Sequence, residues 1–132
     1  MNNDFQMCLI KYINKLGLPI KARLDYLKEY DDLVVYPLPG GKIIRQFMDG
    51  TQEMALPFEV AIKLKDQETA NAVLWRINEA LSAMDLNIPS ANGSYRFIGL
   101  DLKKPFLNEK DNQGYYVYLL DLEANLEIGG DN

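Results

Sequence analysis

The chain has 132 residues, with no histidine and one cysteine, Cys8. Without histidine there is no common neutral-pH general base, no serine–histidine–acid triad and no histidine-ligated metal site. A lone thiol cannot form an internal disulfide, nor can one chain supply a zinc thiolate cluster. Cys8 sits among Phe5, Leu9 and Ile10, where a small core residue is expected rather than a reactive thiol. No apolar run approaches the roughly 20 residues needed to span a bilayer. Asn2, Asn3 and Asp4 do not make the basic start of a signal peptide, so a cytosolic chain, or one assembled in the cytosol, is expected. No lysine or arginine run appears, and the net charge is −5. Such a surface repels phosphate backbones and anionic membranes, so neither nucleic acid nor membrane is expected as a partner.

The composition suits one globular domain over residues 1–132, with Gly129-Gly130-Asp131-Asn132 as a frayed tail. Phe5, Leu9, Tyr12, Ile13 and Leu16 fall at helical spacing, and Gly17 and Pro19 supply a stop. Residues 20–30 read as a second short helix or a turn. Leu33 to Tyr36 is a β-rich run ending at Pro37. A Pro/Gly loop follows, then a strand from Lys42 to Met48 closed by Asp49-Gly50. Phe58, Val60, Ile62 and Leu64 alternate with polar or small residues, which marks a strand with one wet face. Ala70, Leu74, Ile77, Leu81 and Met84 form one stripe of a helix over 67–84, capped by Asp66. Tyr95 to Leu102 reads as a strand with a bulge near Ile98-Gly99. Lys103 to Gly114 reads as a polar connector, and Tyr115 to Ile128 as the last and longest strand. The strands before the main helix are joined by short loops and are expected to be antiparallel neighbours. The expected architecture is α+β: an antiparallel or mixed sheet of about five strands, with an N-terminal helix and one main amphipathic helix packed on one face.

Motifs that carry chemistry are sparse. Gly40-Gly41-Lys42 lacks the upstream glycine of a phosphate loop, and Ile43 stands where a hydroxyl would bind magnesium. Asp121 and Glu123 share one face of the last strand, as residues two apart do. Two carboxylates so placed can hold Mg²⁺, but the continuing alternation favours a solvated strand face. Asp101-Leu102-Lys103 matches the acid-x-lysine half of a metal-dependent nuclease pattern, with no evident partner acid. Tyr115, Tyr116 and Tyr118, with Tyr95 and Phe97, lack the basic neighbours of an RNA-binding sheet, and so read as cross-strand or subunit packing. No catalytic, metal or cofactor-binding residue is assigned. Two segments are candidate protein contacts because binding loops are often long and polar: Pro37, Leu38, Pro39, Gly40, Gly41 and Lys42; and Asn108, Lys110 and Asn112.

Five stretches carry a resemblance: Phe47-Met48-Asp49-Gly50, Leu56-Pro57-Phe58-Glu59-Val60, Ala70-Asn71-Ala72-Val73-Leu74, Asn92-Gly93-Ser94-Tyr95 and Gly114-Tyr115-Tyr116-Val117-Tyr118. They resemble the minor capsid, or tail-terminator-like, proteins of long-tailed (siphovirus-type) phages of Gram-positive bacteria. The resemblance implies a non-enzymatic structural protein of the virion, made in the host cytoplasm. It implies a ring of the chain with itself, a hexamer, that caps the tail tube and joins it to the head. The implied partners are the major tail protein and the head-completion or connector proteins, and no cofactor is implied. Asp121 and Glu123 are then candidates to face the DNA channel, where like charge prevents adhesion. Two other readings stand beside this one: another head-completion or stopper protein, and an acidic immunity- or chaperone-type module that masks a basic partner.

Overall fold

The computed structural model describes residues 3–129. The elements in order are α1 (Phe5–Asn14), β1 (Arg23–Leu24), β2 (Asp32–Pro37), β3 (Lys42–Gln46), β4 (Gln52–Leu64), α2 (Gln67–Leu81), β5 (Arg96–Leu102), β6 (Phe106–Lys110) and β7 (Tyr116–Ile128). The sheet has seven strands rather than about five, and it is mixed: β1 runs parallel to β2, and every other pair is antiparallel.

β4 and β7 form the spine. They pair along their full 13-residue lengths, from Gln52 opposite Ile128 to Leu64 opposite Tyr116. Their even-numbered residues, among them Phe58, Val60, Ile62, Leu120, Leu122 and Leu126, enter the core. α1 contributes Phe5, Leu9 and Ile13 to the same cluster, and α2 contributes Ala70, Val73, Leu74, Ile77 and Leu81. Both helices therefore cover one face of the sheet. Burying each large aliphatic side chain here stabilises the fold by about 1.5–3 kcal/mol. Phe5 packs on Phe58 with ring centroids 5.3 Å apart, which ties α1 to the centre of β4.

Local signals explain the boundaries. Gly17, at φ +74°, takes the left-handed conformation that ends α1. Asp66 caps α2 by accepting from the Glu68 N–H at 3.1 Å and the Thr69 N–H at 3.5 Å. α2 stops at Leu81, so Met84 lies beyond it and is fully exposed, while Val73 joins the buried face. The expected bulge is present, as a register shift between Phe97 and Gly99.

Three expectations need correction. Residues 20–30 hold no helix; Arg23–Leu24 forms the short parallel strand instead. It is fastened by Asp32, which accepts from Arg23 Nε at 2.8 Å and from the Lys28 N–H at 3.0 Å. The segment Lys103–Gly114 is not an unstructured connector, because Phe106–Lys110 pairs with β7 as β6. β2 and β3, though joined by a short loop, do not pair with each other. Both lie end to end along the same edge of β4, β2 against Phe58–Lys63 and β3 against Gln52–Ala55. Pro57, which has no N–H for a ladder, falls in the gap between them. Its carbonyl accepts instead from the Leu38 N–H at 2.9 Å. The expected frayed tail lies, from Gly130 onward, outside the described residues.

Candidate assembly interface

The face of the sheet away from the helices is formed by the odd-numbered residues of β4 and β7, and it is acidic. One cross-strand row runs Tyr36, Glu59, Asp121. The next runs Pro57, Glu123, Asp101. A third runs Arg45, Glu53, Glu127, Arg96, in which Arg96 pairs with Glu127 at 2.8 Å. The strand period predicted that Asp121 and Glu123 share a face, and they do. Glu59 was not singled out in the sequence. Only the register of β4 against β7, which spans some 60 positions of chain, sets it opposite Asp121.

That opposition has an electrostatic consequence. Burial raises the Glu59 carboxyl, contact with the Asp121 carboxyl raises it further, and the Tyr36 hydroxyl, which donates to Glu59 Oε1, partly offsets both. The result is a Glu59 pKa of about 7. Burial and the neighbouring Glu59 push the Tyr36 phenol well above its ordinary range. Asp121 Oδ1 is buried and accepts no hydrogen bond among the described residues. A half-buried Glu59 facing the Asp121 carboxyl cannot ionise cheaply, so it keeps its proton well above the ordinary glutamate range.

Beside this row, Leu38, Pro57, Asp101, Lys103, Asp121, Leu122 and Glu123 line a groove of about 330 Å³. The Lys103 N–H donates to the Asp121 carbonyl at 3.0 Å, which fixes the β5–β6 junction along its side. The acid-x-lysine triplet Asp101–Lys103 thus comes to lie next to Asp121 and Glu123. No group of three metal-capable side chains among the described residues is arranged to hold an ion.

Of the candidate loop residues, Pro37 ends β2 opposite Phe58, and Leu38 enters the groove. Pro39 and Gly40 are exposed, and Lys42 opens β3. Gly41 passes so close to β4 that a Cβ there would sit 3.0 Å from Leu56 Cδ2. Asn108 and Lys110 belong to β6, and Lys110 Nζ sits 5.3 Å from the Tyr116 ring centroid. Asn112 is exposed in the following turn. The fold therefore gathers Leu38, Asp121 and Glu123 into one groove. It leaves Asn108, Lys110 and Asn112 outside that groove.

Both lateral edges of the sheet are open and expose apolar side chains among charged ones. β3 is exposed along its whole length, with Ile43 at 51% and Ile44 at 48% exposure, and the hairpin tip adds Phe47 and Met48. On the opposite edge, β6 exposes Phe106 and Leu107, and β5 exposes Ile98. Open edges are templates for pairing with another chain. No helix among the described residues is long and apolar enough to cross a membrane.

The family model that matches this chain is described as bacteriophage tail terminator protein, and the match spans residues 12–128. No curated protein matches significantly. Among solved structures, a chain of one titled "Virion of native gene transfer agent (GTA) particle" is similar, with 15% sequence identity and a TM-score of 0.55. The similarity covers 79% of this chain and 74% of that one, and at this identity it speaks for the fold alone.

Proposed function

The chain belongs to the bacteriophage tail terminator protein family, and we propose that it forms a ring, a hexamer, that caps the tail tube and joins it to the head. The family is one of structural virion proteins, not of enzymes, and the chain is a phage tail component that assembles with other particle proteins. The observation that carries the proposal is the family match over nearly the whole described chain, 12–128. The partners in this reading are other copies of the chain, the major tail protein on one side and the head-completion or connector proteins on the other. The phages in question are long-tailed ones of Gram-positive hosts, and assembly takes place in the host cytoplasm.

Two features of the sheet support a ring. A closed ring needs heterologous contacts, in which one patch meets a different patch on the next copy. A sheet with two open edges has two such patches. The helix-free face is acidic, and a channel lined by Asp121 and Glu123 would let DNA pass without adhering. The loop from Pro37 to Lys42 and the β6 turn, with Asn108, Lys110 and Asn112, then serve as contacts to the tube and the head.

The test is genetic. Lysates of a phage lacking this chain are expected to hold filled heads and unjoined tails of unregulated length. Joined particles with tails of uniform length would refute the proposal.

A further inference from the structure

The two open sheet edges differ in a way that specifies how one copy meets the next. β3 carries Lys42 and Arg45 opposite Ala55 and Glu53, which are outer-face positions, and Ile43 opposite Met54 on the helix side. Neither cation makes an ion pair with a described residue. β5 carries Asp101 opposite Glu123 on the outer face, and Leu100 and Leu102 opposite Ala124 and Leu122 on the helix side. Asp101 likewise has no ion-pair partner among the described residues. Behind β5 lies a groove of about 360 Å³ whose lining includes Leu81, Met84, Leu86, Phe97, Ile98 and Leu100.

We infer that the edge of β3 in one copy adds as a strand to the edge of β5 in the next copy. This rests on the ring reading above and names its contact. β3 is antiparallel to β4, β4 to β7, and β7 to β5. β3 laid on β5 of another copy therefore continues the alternation and keeps the two faces of the sheet distinct. When Arg45 meets Asp101 on the outer face, Ile44 meets Leu102. An unstaggered joint would set Arg45 against Arg96, since both share the row of Glu53 and Glu127. A stagger that moves Arg45 to Asp101 removes that repulsion, and stagger is what closing a sheet requires. In the antiparallel register that pairs Arg45 with Asp101, Met48 falls beside Ile98, an apolar residue at the mouth of that groove. Met48 is fully exposed in the single chain. Main-chain hydrogen bonds supply the affinity of such strand addition, and the side chains supply the register.

The experiment measures the self-association of the full chain by analytical ultracentrifugation, alone and with cognate tail tubes. The variants are Arg45→Glu, Asp101→Arg, their combination, and Met48→Asp. All three positions are exposed, and unchanged melting confirms folding. Each single variant is expected to weaken assembly by about tenfold or more, because like charges or a buried charge are placed in the contact. The double charge exchange is expected to recover most of that loss, and so is a 1:1 mixture of the two single charge variants. Assembly unaffected by these variants overturns the inference while leaving the ring intact. So does a loss seen only with Leu107→Asp on β6. A wild-type chain that never assembles, with or without tubes, overturns the ring reading itself.

Discussion

Replacing Glu59 by glutamine should stabilise the protein at neutral pH and flatten its stability between pH 5 and 8. Glu59 is raised from 4.5 to about 7 by burial, then by the facing Asp121 carboxyl. A carboxyl raised on folding binds more protons in the folded state than in the unfolded one. Its contribution is fully present below pH 4.5 and is lost as pH rises through about 7. At about 1.4 kcal/mol per pH unit, the unscreened loss is on the order of 3 kcal/mol. Solvent reaching the half-buried pair reduces this to about 1–2 kcal/mol. The window is unusually clean. The chain has no histidine, and the aspartates with depressed values, such as Asp4 and Asp32, are already ionised above pH 5. Glutamine cannot ionise, and its amide can donate to the unpartnered Asp121 Oδ1. Urea denaturation at half-unit steps of pH should show the wild type losing about 1–2 kcal/mol from pH 5 to 8. The Glu59→Gln profile should be nearly level and higher at pH 8. A wild-type profile that is flat or rises over this range would refute the raised-Glu59 reading.

Three further outcomes follow from the geometry. Asp4 accepts from Ser90 Oγ at 2.6 Å, the Ala91 N–H at 2.9 Å and the Asn92 N–H at 3.0 Å, and pins the 90–94 loop to the start of α1. Burial works against these bonds, yet they hold its carboxyl at about 2; Asp4→Ala should cost about 1–2 kcal/mol in urea melts at pH 7. That contribution exists above the ordinary aspartate range and disappears as pH falls through about 2, so the two proteins should converge in acid. Asp32→Ala should lower stability by about 2 kcal/mol, because it removes the acceptor of Arg23 Nε and of the Lys28 N–H; faster hydrogen exchange confined to Arg23–Val35 would mark the cause. If Asp121 and Glu123 face the channel, Asp121→Lys with Glu123→Lys should slow DNA ejection from correctly assembled particles, and unchanged ejection would sink that assignment.

The sequence was most informative where one physical rule acts alone. The stripe Ala70-Leu74-Ile77-Leu81, the alternation Leu120-Leu122-Ala124-Leu126, the Asp66 cap and the bulge near Gly99 all stand as the local pattern implies. It failed where pairing partners decide. Phe106-Leu107-Asn108-Glu109-Lys110 has no alternation because all five residues are exposed, so only the open side of β7 makes it a strand. Arg23-Leu24 is too short for any periodic signal and is held by the buried Asp32. Gln52 to Pro57 lacks a clean pattern because residues on both faces of the sheet there are half-exposed. The candidate interface divides in the same way. Asp121 and Glu123 were legible from the strand period, whereas Glu59, Asp101 and Leu38 join them only through long-range register.

The most direct test of the central claim is the mass of the purified chain by light scattering over a concentration series, repeated with cognate tail tubes present. A closed ring of about six copies, alone or on the tube end, is the predicted result. A chain that stays monomeric at every concentration and ignores the tubes would contradict it.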